Sequence, residues 1–324
     1  MRVLGPPAGG RGSAGAALRG GAHRVFEGAS AFARHPSLRP YLADLAGRAG
    51  LPLREEVLGT GQAYADMARP LVESVTAATG PVDLLVLAYG VHDVQPGRNT
   101  ALHLASQCPG HPLAFAVTDQ GPAAAFAGLR VIEDHVAAGG CARALLVVAE
   151  QAALPYPLAA PAPLPDRHAV AALLFEATAD AAPARVRQHA GIPVDAVSTV
   201  LAADIAELAG GRADVTLVVG ADVPLEAATI TAVRAVRRAP AGLPFTGLWS
   251  RLCEPDLASG TAPVVLADHD PMLGYLSVAA VQPATFERQP AALAWPTQAP
   301  VRSMLNRPAV SSRGGGAAQM AIKD

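Results

Sequence analysis

Short, unbroken apolar runs separated by longer stretches of mixed polarity set the pattern of this chain. Residues 83–89 (DLLVLAY) follow Gly80-Pro81 and are apolar on both faces, which predicts a central strand covered by helices on each side. Residues 113–117 read as a second such strand, 144–149 as a third and 170–175 as a fourth. Residues 122–138 read as a helix with Pro122 in its first turn, where the missing N–H costs nothing, and with Gly139-Gly140 as its stop. The theme then recurs. Residues 214–219 echo 83–89, each an apolar run opened by Asp and followed shortly by Asp-Val. Helices over 225–238 and 247–257 and strands over 264–267 and 275–281 complete the pattern. Two halves rich in βα units suggest a duplicated α/β architecture. The expected division is a first half over 1–180, a second over 181–288, and a disordered tail over 289–324, where Pro, Gly, Ser and Ala offer little apolar surface to offset ordering entropy.

Two further segments read as irregular. Residues 151–166 hold five prolines and predict a surface loop between two strands. Residues 1–22 predict a first strand at Arg2-Val3-Leu4 and then a loose Gly-rich loop; Gly9-Gly10-Arg11-Gly12 lacks the Lys-Ser/Thr of a phosphate loop. No apolar h-region marks a secretory signal, and no run reaches the roughly 18 apolar residues of a membrane span.

Composition narrows the function classes. Of 324 residues, 51% are hydrophobic, 16% charged and only 4% aromatic, so Ala, Val and Leu must fill a large core. A net charge of -2 without a basic cluster argues against nucleic acid, which needs grouped Lys and Arg. Cys108, Cys141 and Cys253 are far apart, form no metal pair, and in their odd number suit a reduced cytoplasm rather than a disulfide framework. Neither the first strand nor the one over 83–89 is followed by a dinucleotide-binding G-x-G-x-x-G.

Five motifs in order over residues 80–282 give the chain a resemblance to type III β-ketoacyl-acyl-carrier-protein synthases. Tyr89 to Pro96 (YGVHDVQP) keeps the Asp and nearby Pro of a family turn. Phe115-Ala116-Val117 and the helix after it match the strand and nucleophile elbow, and Leu146 to Glu150 matches a Val-Val-x-x-Glu strand. Residues 265–271 with Tyr275 occupy the family's closing loop and strand. The resemblance implies a thiolase-like, duplicated αβαβα layered α/β fold. It also implies a dimer whose cores pair along the strand over 113–117, and acyl-carrier-protein or coenzyme A thioesters as ligands without other cofactors or metal.

The departures matter more. Where the family has its cysteine, at the mouth of the buried helix with the dipole and free N–H groups to activate it, this chain has Gly121. The family's histidine region holds Val219 and Gly220, and its asparagine turn reads Pro244 to Trp249, without Asn. The resemblance therefore implies loss of ordinary condensing chemistry. One reading is a degenerate partner subunit, in a homodimer or a heterodimer with an active type III ketosynthase, serving fatty-acid or polyketide-type secondary metabolism. The alternative is a divergent acyltransferase or decarboxylase using Asp119, Gln120 and His269. Asp119 and Gln120 also suit plain helix capping, and Asp268-His269-Asp270 also suits a polar turn, a carboxylate-oriented base or half of a metal site. His92, Asp93, Gly121 and Thr246 are the candidate binding residues.

Overall fold

A computed structural model describes residues 14–77, 79–158, 163–179, 184–210, 212, 214–227, 233–258 and 262–283. The chain divides into a unit spanning Met1–Phe286 and a second spanning Glu287–Asp324. The whole second unit, the expected tail within it, the expected strand at Arg2-Val3-Leu4 and the glycines at 9, 10 and 12 lie outside the described residues.

In chain order the first half runs β1 (Gly15–Phe26), α1 (Leu38–Arg48), α2 (Tyr64–Thr76), β2 (Leu84–Tyr89), α3 (Thr100–Gln107), β3 (Leu113–Val117), α4 (Ala123–Ala137), β4 (Arg143–Glu150) and β5 (His168–Thr178). The second half runs β6 (Arg185–His189), α5 (Val197–Leu208), β7 (Thr216–Val219), β8 (Ala235–Arg238), α6 (Gly247–Arg251), α7 (Pro255–Ala258), β9 (Val264–Asp270) and β10 (Tyr275–Pro283).

The sheet order exposes the duplication. β3-β2-β4-β5-β1 is third-second-fourth-fifth-first in its half, and β8-β7-β9-β10-β6 repeats that order. Strand senses repeat as well: β2 is parallel to β3 and β4, as β7 is to β8 and β9. β5 is antiparallel to β4 and β1, as β10 is to β9 and β6. Short parallel pairing between β1 and β10 joins the halves.

Alternation along the strands sorts side chains into three cores. Val86 and Leu146 of the first half meet Val218 and Leu266 of the second around Phe126, Leu129 and Trp249, so α4 and α6 form the middle layer. Leu85, Leu87 and Val147 face α2 and α3 on the other side. Leu217, Val219 and Val278 face α5. This is a five-layer αβαβα arrangement. In the middle layer α4 lies so close to the sheet that a Cβ on Gly128 would sit 3.0 Å from Leu146 Cδ1 and 3.1 Å from Val86 Cγ1. The Phe126 and Trp249 rings meet edge-on, 5.2 Å between centroids. Gly139, at φ +70°, ends α4 in a Schellman turn, with Gly139 N–H donating to the Val136 carbonyl (2.9 Å) and Gly140 N–H to that of His135 (3.0 Å).

Four expectations need correction. Residues 15–26 form β1 rather than a loose loop: a Cβ on Gly21 would lie 2.6 Å from Leu173 Cδ2 and 3.0 Å from Cys253 Sγ, so this glycine serves close packing and not a turn. Residues 113–117 form an edge strand, not a covered one, and leave Leu113 55% and Phe115 37% exposed. The helix expected over 225–238 ends in a strand, because residues 235–238 pair with β7; residues 228–232 lie outside the described part. The helix expected over 247–257 breaks before Pro255, whose missing N–H and ring stop α6 from continuing into α7. Among the described residues, no helix is long and apolar enough to cross a membrane.

Because Trp249 is 1% exposed and bridges both sheets, Trp249→Ala is expected to lower unfolding free energy by about 3–5 kcal/mol in urea titrations. A loss below roughly 1 kcal/mol would show that the middle layer does not hold the halves together.

Candidate functional site

The site is the mouth of α4. β3 ends at Val117, and residues 118–122 turn the chain into the helix with Asp119 at φ +61° and Gly121 at φ +53°. Backbone carbonyls do the capping: those of Gln120 and Gly121 accept from Ala123 N–H (3.1 Å) and Ala124 N–H (3.2 Å). Asp119 and Gln120 are exposed, and their side chains make no hydrogen bond among the described residues, so side-chain capping does not explain them.

What faces the mouth comes from β9. A Cβ added to Gly121 would collide with Asp270 Oδ2, and Leu273 Cδ1 would lie 3.5 Å from it. Asp270 is 4% exposed and its other oxygen is fixed by the next turn, accepting from Met272 N–H (2.9 Å) and Leu273 N–H (3.1 Å). Two residues earlier the motif repeats. Parallel register pairs Val219 with Ala267, so Gly220 falls beside Asp268, and a Cβ on Gly220 would collide with Asp268 Oδ1. That oxygen accepts the backbone N–H of His269 at 2.9 Å. Burial first, then the charges of Asp270 and Asp222, push the Asp268 carboxyl up to about 7.

The third wall is Phe245. Its ring packs on the backbone of Gly90 so closely that a Cβ there would collide with Cε1. The ring is held by a fully buried carboxylate at the end of β4. Glu150 accepts from Phe245 N–H (3.0 Å), Thr246 N–H (3.2 Å) and the Thr246 hydroxyl. Burial drives the Glu150 carboxyl up to about 7 against those bonds. The space enclosed by Tyr89, Gly121, Pro122, Ala124, Val148 and Phe245 is too small for a water molecule.

The sequence candidates do not converge. His269 alternates to the face of β9 opposite Asp268 and Asp270, and its Nε2 lies 2.9 Å from the Ile192 carbonyl, which requires the proton on that nitrogen. Asp268 therefore bonds the backbone of His269 and not its ring. Thr246 is engaged with Glu150 and fully buried. Asp93 is a brace: Oδ1 accepts from Tyr64 N–H at the start of α2 (3.3 Å) and Gln95 N–H (3.0 Å), while Oδ2 accepts from the Thr100 hydroxyl at the start of α3 (2.7 Å). His92 is exposed, and its carbonyl accepts from the Gln151 amide. No group of three or more His, Cys, Asp or Glu able to hold a metal occurs among the described residues.

The thiols are elsewhere. Cys108 caps the C-terminus of α3, Cys141 follows α4 at its far end, and Cys253 follows α6. Burial pushes them up to about 11, 12 and 12 respectively, which disfavours the thiolate at neutral pH. A second feature lies on the other face of the first sheet: a cavity of about 500 Å³ between α1 and the C-terminal ends of β2 and β3, bordered by His92 and Asp93.

Sequence reasoning found the glycine at the helix mouth but missed Asp268, Asp270 and Phe245 as its occupants. The available signal was an Asp-x-Asp pair on one strand together with glycines where large polar side chains were expected.

The Asp268 shift sets a pH dependence. Its pKa in the folded protein, about 7, exceeds the ordinary 3.8, so the folded chain holds this proton more tightly than the unfolded one. That contribution is complete below the ordinary value and is lost as pH rises through the folded one. Glu150 acts in the same direction. The melting temperature is expected to fall between pH 5 and pH 8, and Asp268→Asn to flatten that fall and raise stability at pH 8. An unchanged slope in the variant would refute the assignment.

No family model matches the sequence, and no curated protein matches it. Solved structures do match. 3-Oxoacyl-(acyl carrier protein) synthase III from Pseudomonas aeruginosa superposes with a TM-score of 0.53 at 16% identity, over 83% of this chain and 99% of that one. A tetronic acid condensing enzyme gives 0.54 at 16% identity over 82% and 99%. The 3-oxoacyl-(acyl-carrier protein) synthase from Burkholderia xenovorans gives 0.54 at 13% over 83% and 94%. With the repeated strand order and the five layers, these likenesses identify the fold of this chain as the thiolase type in its ketoacyl synthase III form.

Proposed function

We propose that this chain is a non-condensing subunit that pairs with an active type III ketosynthase in fatty-acid or polyketide-type secondary metabolism. One observation carries the reading: the position a nucleophile's side chain would need at the mouth of α4 is taken by the Asp270 carboxylate. Gly121 can form no thioester, and a carboxylate in its place would repel the oxyanion that acyl transfer develops. Phe245 borders the same narrow space beside Gly121, which leaves little room for an acyl group. The alternative, an acyltransferase or decarboxylase using Asp119, Gln120 and His269, is favoured less here, because the His269 ring bonds the Ile192 carbonyl on the face of β9 opposite Asp268 and Asp270, away from Asp119 and Gln120.

The pairing surface proposed is β3. Among the described residues it ends the sheet with no strand on its outer side, and it exposes Leu113 and Phe115. A bare apolar edge strand is a template for another strand. In this reading the acyl-carrier-protein or coenzyme A thioester is handled by the partner, and this chain completes the partner's architecture.

Co-expression with a type III synthase that keeps its cysteine is expected to yield a heterodimer on size-exclusion chromatography. The double variant Leu113→Glu, Phe115→Glu should abolish it. A homodimer that never exchanges with the synthase would overturn the pairing. The blocked mouth is tested separately. Gly121→Cys is expected to lower the melting temperature by several degrees, and adding Asp270→Gly to recover part of that loss. A Gly121→Cys protein that is fully stable and condenses acyl thioesters would contradict the reading.

A further inference from the structure

The cavity beside α1 is separate from the filled mouth of α4, and it has both the size and the lining of a ligand site. Its volume of about 500 Å³ falls within the range of small-molecule pockets. Leu87 and Ala116 form the floor, Leu38, Leu42 and Leu45 line one wall from α1, and Leu154 with Tyr156 forms the opposite one. The walls are built structures. Arg54 N–H donates to the Pro155 carbonyl at 2.8 Å, tying the segment after β4 to the segment after α1. The Asp93 brace fixes the starts of α2 and α3 below. Tyr89 stands between this cavity and the tight space beside Gly121.

Charge selects the ligand. The described lining contains one guanidinium, Arg98, which is exposed and makes no hydrogen bond or ion pair among the described residues. The lining also contains one carboxylate, that of Asp93, whose two oxygens already accept three hydrogen bonds and which burial pushes above the usual carboxylate range. A free cation at the rim of a leucine-lined hollow matches a single anionic head on an apolar tail. A diphosphate would need further cations or a Gly-rich cradle of N–H groups, which the described lining lacks.

We propose that this cavity binds a medium-chain aliphatic carboxylate, with the head on Arg98 and the tail between α1 and Leu87. The inference does not rest on the partner-subunit reading: ligand binding and pairing are measured apart, and either can fail alone.

Isothermal titration of the purified full chain with decanoate is expected to show saturable one-to-one binding. Decanol, which keeps the tail without the charge, should bind more weakly. Arg98→Gln should weaken decanoate roughly tenfold and leave decanol unchanged, since a charge-assisted bond to an exposed guanidinium is removed and nothing else. Leu42→Trp should fill the cavity and abolish binding of both. Ala153→Leu does the same from the opposite wall if the first variant melts early. Absence of saturable decanoate binding would overturn the proposal, as would binding that survives both filling variants. Equal affinity for decanoate in the native chain and in Arg98→Gln would refute the anionic head.

Discussion

Two carboxylates on one strand face shape this molecule. Strand periodicity puts Asp268 and Asp270 on the same side of β9; the sheet register sets Asp268 beside Gly220, and the turn into α4 brings Gly121 against Asp270. Each glycine is the space its aspartate occupies, so the pairs interlock as a knob meets a hole. The arrangement carries an electrostatic cost, since two like charges are held close with little water. The costs are limited by hydrogen bonds from the β9–β10 turn to Asp270 and by a raised affinity of Asp268 for a proton. A nucleophile at the helix mouth and these carboxylates are mutually exclusive. In the reading proposed above, that exclusion lets the layered architecture be kept without acyl chemistry at this position.

The rest of the architecture serves to hold that interlock. α4 is clamped between the two sheets by Phe126, Leu129 and Trp249, and Gly128 lets it approach β2 and β4 closely. Glu150 reaches across the middle layer to the backbone of Phe245 and Thr246, so the plug over Gly90 is fixed from the first half although it belongs to the second. The halves thus meet through polar contacts at the strand ends and apolar contacts in the centre. The outer face of the first sheet is under no such constraint, and a cavity lies there.

Much of this was legible in the sequence, for identifiable reasons. β2, β4, β5 and β7 are covered on both faces and therefore read as continuous apolar runs, and α4 carries a proline start and a glycine stop. β1 was not legible, because Gly20 and Gly21 mimic a loop, while Gly21 in fact lets the strand pack closely against Leu173 and Cys253. β8 was not legible either, since Ala235-Val236-Arg237-Arg238 borrows its strand identity from pairing with β7. At the site, Gly121 could be placed by counting from Phe115. The work of Asp268 and Asp270 could not, because it depends on which glycines the fold brings opposite them. His269 drew attention as an imidazole between two acids, yet alternation turns its ring the other way.

The proposed reading requires that none of the three cysteines takes up an acyl group and that Gly121 leaves the mouth of α4 without a nucleophile. Intact-protein mass spectrometry after incubation with acyl- and malonyl-coenzyme A and with acylated carrier protein tests it most directly. The account predicts an unmodified mass under conditions that fully acylate an active synthase. A stoichiometric acyl adduct mapped to Cys108, Cys141 or Cys253 would contradict it.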